Sequence, residues 1–258
     1  MRIVVKIGTS TLTHASGCVN YRRFELLCRV LSDIINGGHS VILVSSGAIG
    51  MGVGKLNLKE RPTDIAGKQA AAAVGQCELM YLYDREFGAY NRTVAQILLT
   101  APDLKCSDRL LKFRSTVERL LELGALPIIN ENDTVATEEI EFGDNDTLAA
   151  LVAEAVGAEL LILLSDIDGL YTADPHKDKS AVLIPKVYKI DEKTEALSGG
   201  AGTALGTGGM ITKIRAAKIA TANGCDMVIA NGKSPALLYD IIEGKEVGTR
   251  FFAGGSGV

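Results

Sequence analysis

ELLILLS, residues 159–165, sets five apolar residues in an unbroken row between a glutamate and a serine. A strand with one wet face alternates apolar and polar side chains. A strand covered on both faces has no such need and reads as a continuous run. Similar runs lie on either side of it: RIVVKIG (2–8), SVILVSSG (40–47), TVAQILL (93–99), LPIIN (126–130) and DMVIAN (226–231). Helical patterns separate them. Asn20 is placed to cap a helix through Ile35, closed by Gly37 and Gly38. Residues 63–87 read as helical, although Gly67 and Gly75 weaken the case for one unbroken helix. Ser107 caps a helix through Leu123, Asp144 or Asn145 starts one through Val156, and residues 210–223 and 234–243 complete the set. SVILVSSG is expected to enter a glycine-rich loop, and SGGAGTALGTGG (198–209) reads as a second one. The alternation predicts an α/β fold with a mostly parallel central sheet. No linker interrupts it, so a single domain is expected over residues 1–258.

Composition narrows the function. The chain is 47% hydrophobic and 22% charged, ordinary for a globular protein. A net charge of −4 carries no basic face for nucleic acid. No apolar segment is long enough for a membrane span, and MRIVVKIGTS enters a strand pattern without signal-peptide anatomy. Five scattered cysteines, with no C-x-x-C pair, fit a reducing cytoplasm and neither a disulfide framework nor a zinc site. Three distant histidines are not at metal-ligand spacing.

In open parallel sheets, ligands gather beyond the carboxyl ends of the strands. Here those ends carry polar or flexible residues: Lys6, Gly8, Thr9 and Ser10; Ser45, Ser46 and Gly47; Asn130 to Asp133; Ser165, Asp166 and Asp168; Asn231 and Lys233. KIGTS, SSGAIGMGVG and GTGGMITK could offer backbone N–H groups to phosphate, although none fits a named nucleotide fingerprint. Lys6 stands inside an apolar strand, where an ammonium is disfavoured unless answered. Lys213 stands one turn into a helix whose N-terminus attracts anions. The two could converge on a polyphosphate.

Charge is segregated along the chain. From Leu120 through His176 there is no Lys or Arg, against thirteen Asp and Glu. A solvated surface accounts for EEIE. It accounts less well for Asn130-Glu131-Asn132-Asp133 and Asp144-Asn145-Asp146, which abut apolar segments. Carboxylates there can bind a substrate ammonium or position a lysine and Mg2+. Asparagines between them suit a ligand that also bears a carboxylate, such as an amino acid.

Six motifs carry a resemblance across nearly the whole chain: VVKIGTSTL (4–12), VSSGAIGMG (44–52), KQAAAAVGQ (68–76), INENDTVATEEIEFGDND (129–146), LLSDIDGLYTADP (163–175) and GTGGMITK (206–213). With these the sequence resembles the amino acid kinase family, and within it the branch whose acceptor is L-glutamate. The resemblance implies a three-layer α/β/α sandwich, with ATP and Mg2+ as co-substrates. The γ-phosphoryl would pass to the glutamate side-chain carboxylate, giving L-glutamyl 5-phosphate, the first step of proline synthesis. The N-terminal part would hold glutamate and the part from about residue 160 ATP. By likeness, Lys6 and Lys213 touch the phosphoryl groups and Asp146 orients both. Ser46, Gly47, Asp133 and Asn145 would contact glutamate. Lys6, Gly8, Ser165, Asp166, Thr207, Gly208, Gly209, Met210, Ile211, Thr212 and Lys213 would line the ATP site. No protein-held metal is expected. A homo-oligomer (dimer or tetramer), feedback inhibition by proline and a functional link to a glutamyl phosphate reductase also follow from the likeness. In one respect the sequence departs from the likeness: it stops at Val258, soon after the last strand, so the further C-terminal domain that many members carry is not expected. The rivals are an acetylglutamate or aspartate kinase and a non-catalytic amino-acid sensor of the same fold. The KIGTS start differs from the K-F-G-G-T-S of aspartate kinases, and NEND answers an amine that acetylglutamate lacks.

Overall fold

The computed structural model describes residues 1–14, 18–135, 145–175, 177–197 and 209–254. Among them one sheet gathers eight strands: β1 Arg2–Ile7, β2 Ser40–Ser45, β3 Val94–Leu99, β4 Leu126–Glu131, β5 Leu160–Ser165, β6 Lys186–Val187, β7 Asp226–Asn231 and β8 Thr249–Phe251. Their spatial order is β3-β4-β2-β1-β5-β7-β8-β6. Each of the six long strands pairs in parallel with its neighbours among them. At one end the direction reverses: β8 runs antiparallel to β7, and β6 pairs in parallel with β8.

The run that set the fold behaves as its composition requires: Leu160, Leu161, Ile162, Leu163 and Leu164 are each at most 1% exposed. Side chains alternate between two apolar layers. Val4, Val44, Leu161, Leu163 and Ile229 face the helices Ser107–Glu122, Asn145–Val156 and Met210–Ala222. Ile3, Val5, Ile7, Leu43, Ile162 and Leu164 face the helices Tyr21–Asn36, Ile65–Gly88 and Leu237–Ile242. The result is the expected three-layer α/β/α sandwich. From β1 the chain builds β2, β3 and β4 on one side, then crosses to β5 on the other. The carboxyl ends of β4, β2, β1, β5 and β7 therefore share one edge, with the change of direction at β1.

Four local readings need correction. Residues 48–55 are not a glycine-rich loop but the helix Ala48–Lys55. Its glycines permit contact with a neighbouring helix. A Cβ on Gly52 would lie 1.8 Å from the Ala71 carbonyl oxygen, and one on Gly75 would lie 1.7 Å from that of Ala48. Gly75 thus fits one continuous helix, Ile65–Gly88, capped by the Asp64 carboxylate accepting from the Gly67 N–H. Ser107 is the first residue of its helix and not the cap. Before it lies a further short helix, Ala101–Lys105, opened by a capping box between Thr100 and Asp103. The remaining short pieces, β6, β8 and the helices Thr9–Leu12 and Glu192–Ala196, are too brief to leave a periodic trace. Among the described residues no helix is long and apolar enough to cross a membrane.

Candidate active site

Strand alternation puts Lys6 on the Val4 face of β1, beneath the helices that begin at Asn145 and Met210. Both helices start at the carboxyl edge of the sheet, so their first turns meet the end of β1. There the Lys6 ammonium lies 2.5 Å from Asp146 Oδ1, and that of Lys213 lies 2.9 Å from Asp146 Oδ2. Asp146 is fully buried, and Lys6 and Lys213 are only 7% and 4% exposed. Thr212 donates from its hydroxyl to the Gly209 carbonyl (2.7 Å) and lies 3.2 Å from Asp146 Oδ2. Burial works to raise the Asp146 carboxyl. The charges and hydrogen bonds of Lys6 and Lys213 overcome it and hold the group at about 2. These three side chains carry two positive charges and one negative, which favours an anion beside them.

On the β2 and β4 side of this triad lies an amide network. Asn145 donates from Nδ2 toward the Ser45 carbonyl (2.9 Å), the Ser46 hydroxyl oxygen (2.8 Å) and Asn130 Oδ1 (3.0 Å). Asn130 donates in turn to Gln76 Oε1 at 2.9 Å, and its own oxygen also accepts from the Glu131 N–H. Ser45 Oγ meets the phenol oxygen of fully buried Tyr83 at 2.9 Å. Gly47 turns the chain from β2 into the helix Ala48–Lys55 at φ 107°, in the left-handed region that favours glycine. Asp133 sits on the turn after β4, tied to β3 by the Asn132 N–H donating to the Leu99 carbonyl. It is half-buried. Burial raises its carboxyl above the ordinary range, and the Arg61 charge offsets this only in part. Among the described residues Asp133 has no hydrogen bond or ion pair.

On the other side of β1, Ser165 ends β5 and donates to Asp166 Oδ1 at 3.0 Å. Asn231, at the end of β7, donates to Asp168 Oδ1 at 2.7 Å and accepts from the Lys233 N–H. Gly8 lies next to the Lys6 ammonium, 3.8 Å from where its Cβ would be. Gly209, Met210, Ile211 and Thr212 form the cap and first turn of the Lys213 helix. Thr207 and Gly208 fall outside the described residues. Among the described residues no three His, Cys, Asp or Glu converge into a group that could hold a metal.

The sequence profile of the amino acid kinase family matches residues 1–231, which include Lys6, Asp146 and Lys213. The chain belongs to the amino acid kinase family. Within that family it is 52% identical over 256 residues to a protein of Clostridium perfringens named glutamate 5-kinase, covering 98% of this chain and 95% of the relative. A glutamate 5-kinase of Clostridium acetobutylicum is 54% identical over 250 residues, covering 97% and 94%. A longer one, from Moorella thermoacetica, is 52% identical, and the match spans 66% of its length. Solved structures repeat the fold at low identity. The UMP kinase of Bacillus anthracis superposes with a TM-score of 0.66 at 14% identity, over 98% of this chain and 96% of its own. The isopentenyl phosphate kinase of T. acidophilum superposes with a TM-score of 0.63 at 18% identity, over 97% and 100%.

In this amino acid kinase the described site residues expected from the sequence all lie along one sheet edge. Those assigned to glutamate fall on the β2 and β4 side of the triad, and Ser165 and Asp166 on the β5 side. Strand-end polarity marks Asn130 and Asn231 without showing their hydrogen-bond partners, and it misses Gln76 and Tyr83, which lie within a helix. A buried amide in a helix of small residues is the one sequence signal that could have marked Gln76.

Proposed function

We propose that this chain transfers the γ-phosphoryl of ATP to the side-chain carboxylate of L-glutamate, giving L-glutamyl 5-phosphate for proline synthesis. One observation carries the reading: two ammoniums from opposite ends of the chain share one buried carboxylate where the sheet changes direction. With a pKa of roughly 4.3, the acceptor carboxylate is already ionised at neutral pH, so no general base is required. The obstacle is repulsion between an anionic nucleophile and an anionic phosphate. Lys6 and Lys213 offset the charge on the transferring group, and Asp146 fixes where their ammoniums stand. Mg2+ bound to ATP would supply further positive charge to the phosphates that Lys6 and Lys213 face.

The acceptor lies on the β2 and β4 side. Asp133, unpaired among the described residues, is suited to the α-ammonium, while Asn145, Ser46 and Gly47 take polar groups of the same molecule. Holding both ends of glutamate brings its distal carboxylate in line with the γ-phosphorus. The nucleotide occupies the β5 and β7 side, against Gly8, Ser165, Asp166 and the stretch from Thr207 to Lys213. The chain is read as one domain divided in this way near residue 160. Because an acyl phosphate is labile, a reductase that consumes the product goes with this activity. Inhibition by proline, a homo-oligomer and a cytoplasmic location accompany it by family likeness.

Hydroxylamine traps acyl phosphates, so purified protein is incubated with ATP, Mg2+ and hydroxylamine beside L-glutamate, L-aspartate or N-acetylglutamate. Hydroxamate is expected with glutamate alone. Equal or greater product with N-acetylglutamate, which has no ammonium for Asp133, would overturn the assignment.

A further inference from the structure

We infer that Gln76 is a positioning residue: through Asn130 and Asn145 it sets which atoms of the acceptor site donate and which accept hydrogen bonds. This rests on the functional reading above. Two backbone groups fix the direction of the network. The Glu131 N–H can only donate, so the Asn130 atom facing it is oxygen. The Ser45 carbonyl can only accept, so the Asn145 atom facing it is nitrogen. Asn130 therefore turns its NH2 away from Asn145, into the helix Ile65–Gly88, where Gln76 Oε1 receives it at 2.9 Å. Asn130 is 3% and Gln76 9% exposed, so water does not stand in readily for that oxygen.

The consequence reaches the acceptor. Asn145 spends its two amide hydrogens on three oxygens, and its Oδ1 has no hydrogen-bond partner among the described residues. That oxygen is an acceptor suited to an ammonium. The Ser46 hydroxyl, accepting from Asn145, keeps its own hydrogen to give to a carboxylate. If Gln76 loses its oxygen, the Asn130 NH2 is stranded. Turning Asn130 over to relieve it presents NH2 to both the Glu131 N–H and the Asn145 NH2. Either way the polarity of Asn145 and Ser46 is released, while Lys6, Asp146 and Lys213 are untouched.

The test is steady-state kinetics with glutamate and ATP varied separately. Gln76→Met keeps the length and removes the oxygen. Gln76→Glu keeps an accepting oxygen. Phe87→Leu, farther along the same helix, removes buried apolar packing without touching Asn130. Gln76→Met is expected to raise the glutamate KM about ten-fold, the scale of one buried hydrogen bond. Its ATP KM stays within about two-fold, a change too small to register as a lost hydrogen bond. Gln76→Glu returns the glutamate KM toward wild type, and Phe87→Leu lowers Tm while leaving both KM values in place. If Gln76→Met does not fold, Gln76→Asn, which draws the oxygen back by one methylene, gives the same reading. A folded Gln76→Met or Gln76→Asn with an unchanged glutamate KM, or a Gln76→Glu no better than Gln76→Met, overturns the inference. Absence of glutamate turnover in the wild type overturns the functional reading first, and is seen before any variant is made.

Discussion

Asp146 is a fully buried carboxylate held between two ammoniums, and its removal should be the most damaging change at the site. Asp146→Asn keeps the shape but leaves two like charges buried together. Loss of one member of a buried ionic group costs about 3–5 kcal/mol. Urea unfolding at pH 7 should show a loss on that scale, or no folded protein. The same group gives a pH dependence. Its folded pKa, about 2, lies below the unfolded value, so its stabilisation is complete above the unfolded value and lost as pH falls through the folded one. Thermal melts should therefore fall between about pH 4 and pH 2, and this dependence should vanish in Asp146→Asn. Asp133 has the opposite sign. Burial raises its carboxyl, so the folded chain bears a cost that is full above the folded pKa and absent below the unfolded one. Asp133→Asn should raise Tm at pH 7 while raising the KM for glutamate at least ten-fold. A variant with lower Tm and unchanged KM would show that Asp133 serves the fold and not the substrate.

At the scale of elements, the pairing of the helices Ala48–Lys55 and Ile65–Gly88 brings the acceptor side together. The first of these helices follows directly from Ser46 and Gly47, and the second carries Gln76 and Tyr83. They approach until a single methyl group at Gly52 or Gly75 would overlap a backbone carbonyl of the partner. Alanine at either position improves helix propensity by about 1 kcal/mol, yet here it must push the backbones apart. Gly75→Ala is expected to lower stability despite that propensity, and to raise the KM for glutamate more than that for ATP. Circular dichroism melts and separate substrate titrations check both. An alanine variant more stable than wild type would show that the helices separate without consequence.

For the whole molecule, the parallel sheet turns sequence distance into proximity. Lys6 comes from the first strand and Lys213 from a helix near the far end of the chain, yet both reach one carboxylate. Removing either lysine leaves Asp146 with the other, so the fold survives better than in Asp146→Asn, while the transferring phosphoryl loses charge stabilisation. Lys6→Ala and Lys213→Ala should lower kcat by a factor on the order of 100 or more, with folding monitored in parallel. Normal turnover by folded Lys213→Ala would remove the basis of the mechanism.

The sequence by itself determined what short-range physics writes into it. Unbroken apolar runs such as Leu160 to Leu164 require a sheet covered on both faces, and 3.6-residue periods mark the amphipathic helices Tyr21–Asn36 and Ser107–Glu122. Polar and glycine residues at strand ends place the ligand edge, and a lysine inside an apolar strand signals an answering charge. These properties repeat within a few residues, so they are legible without coordinates. Tertiary structure alone decided the rest. That Ala48–Lys55 is helical depends on Gly52 meeting Ala71, and that Asn130 turns its NH2 toward Gln76 depends on two residues 54 positions apart. Such contacts have no period and leave no local mark. They exist because packing brings distant segments within hydrogen-bond reach, where a buried donor must find an acceptor.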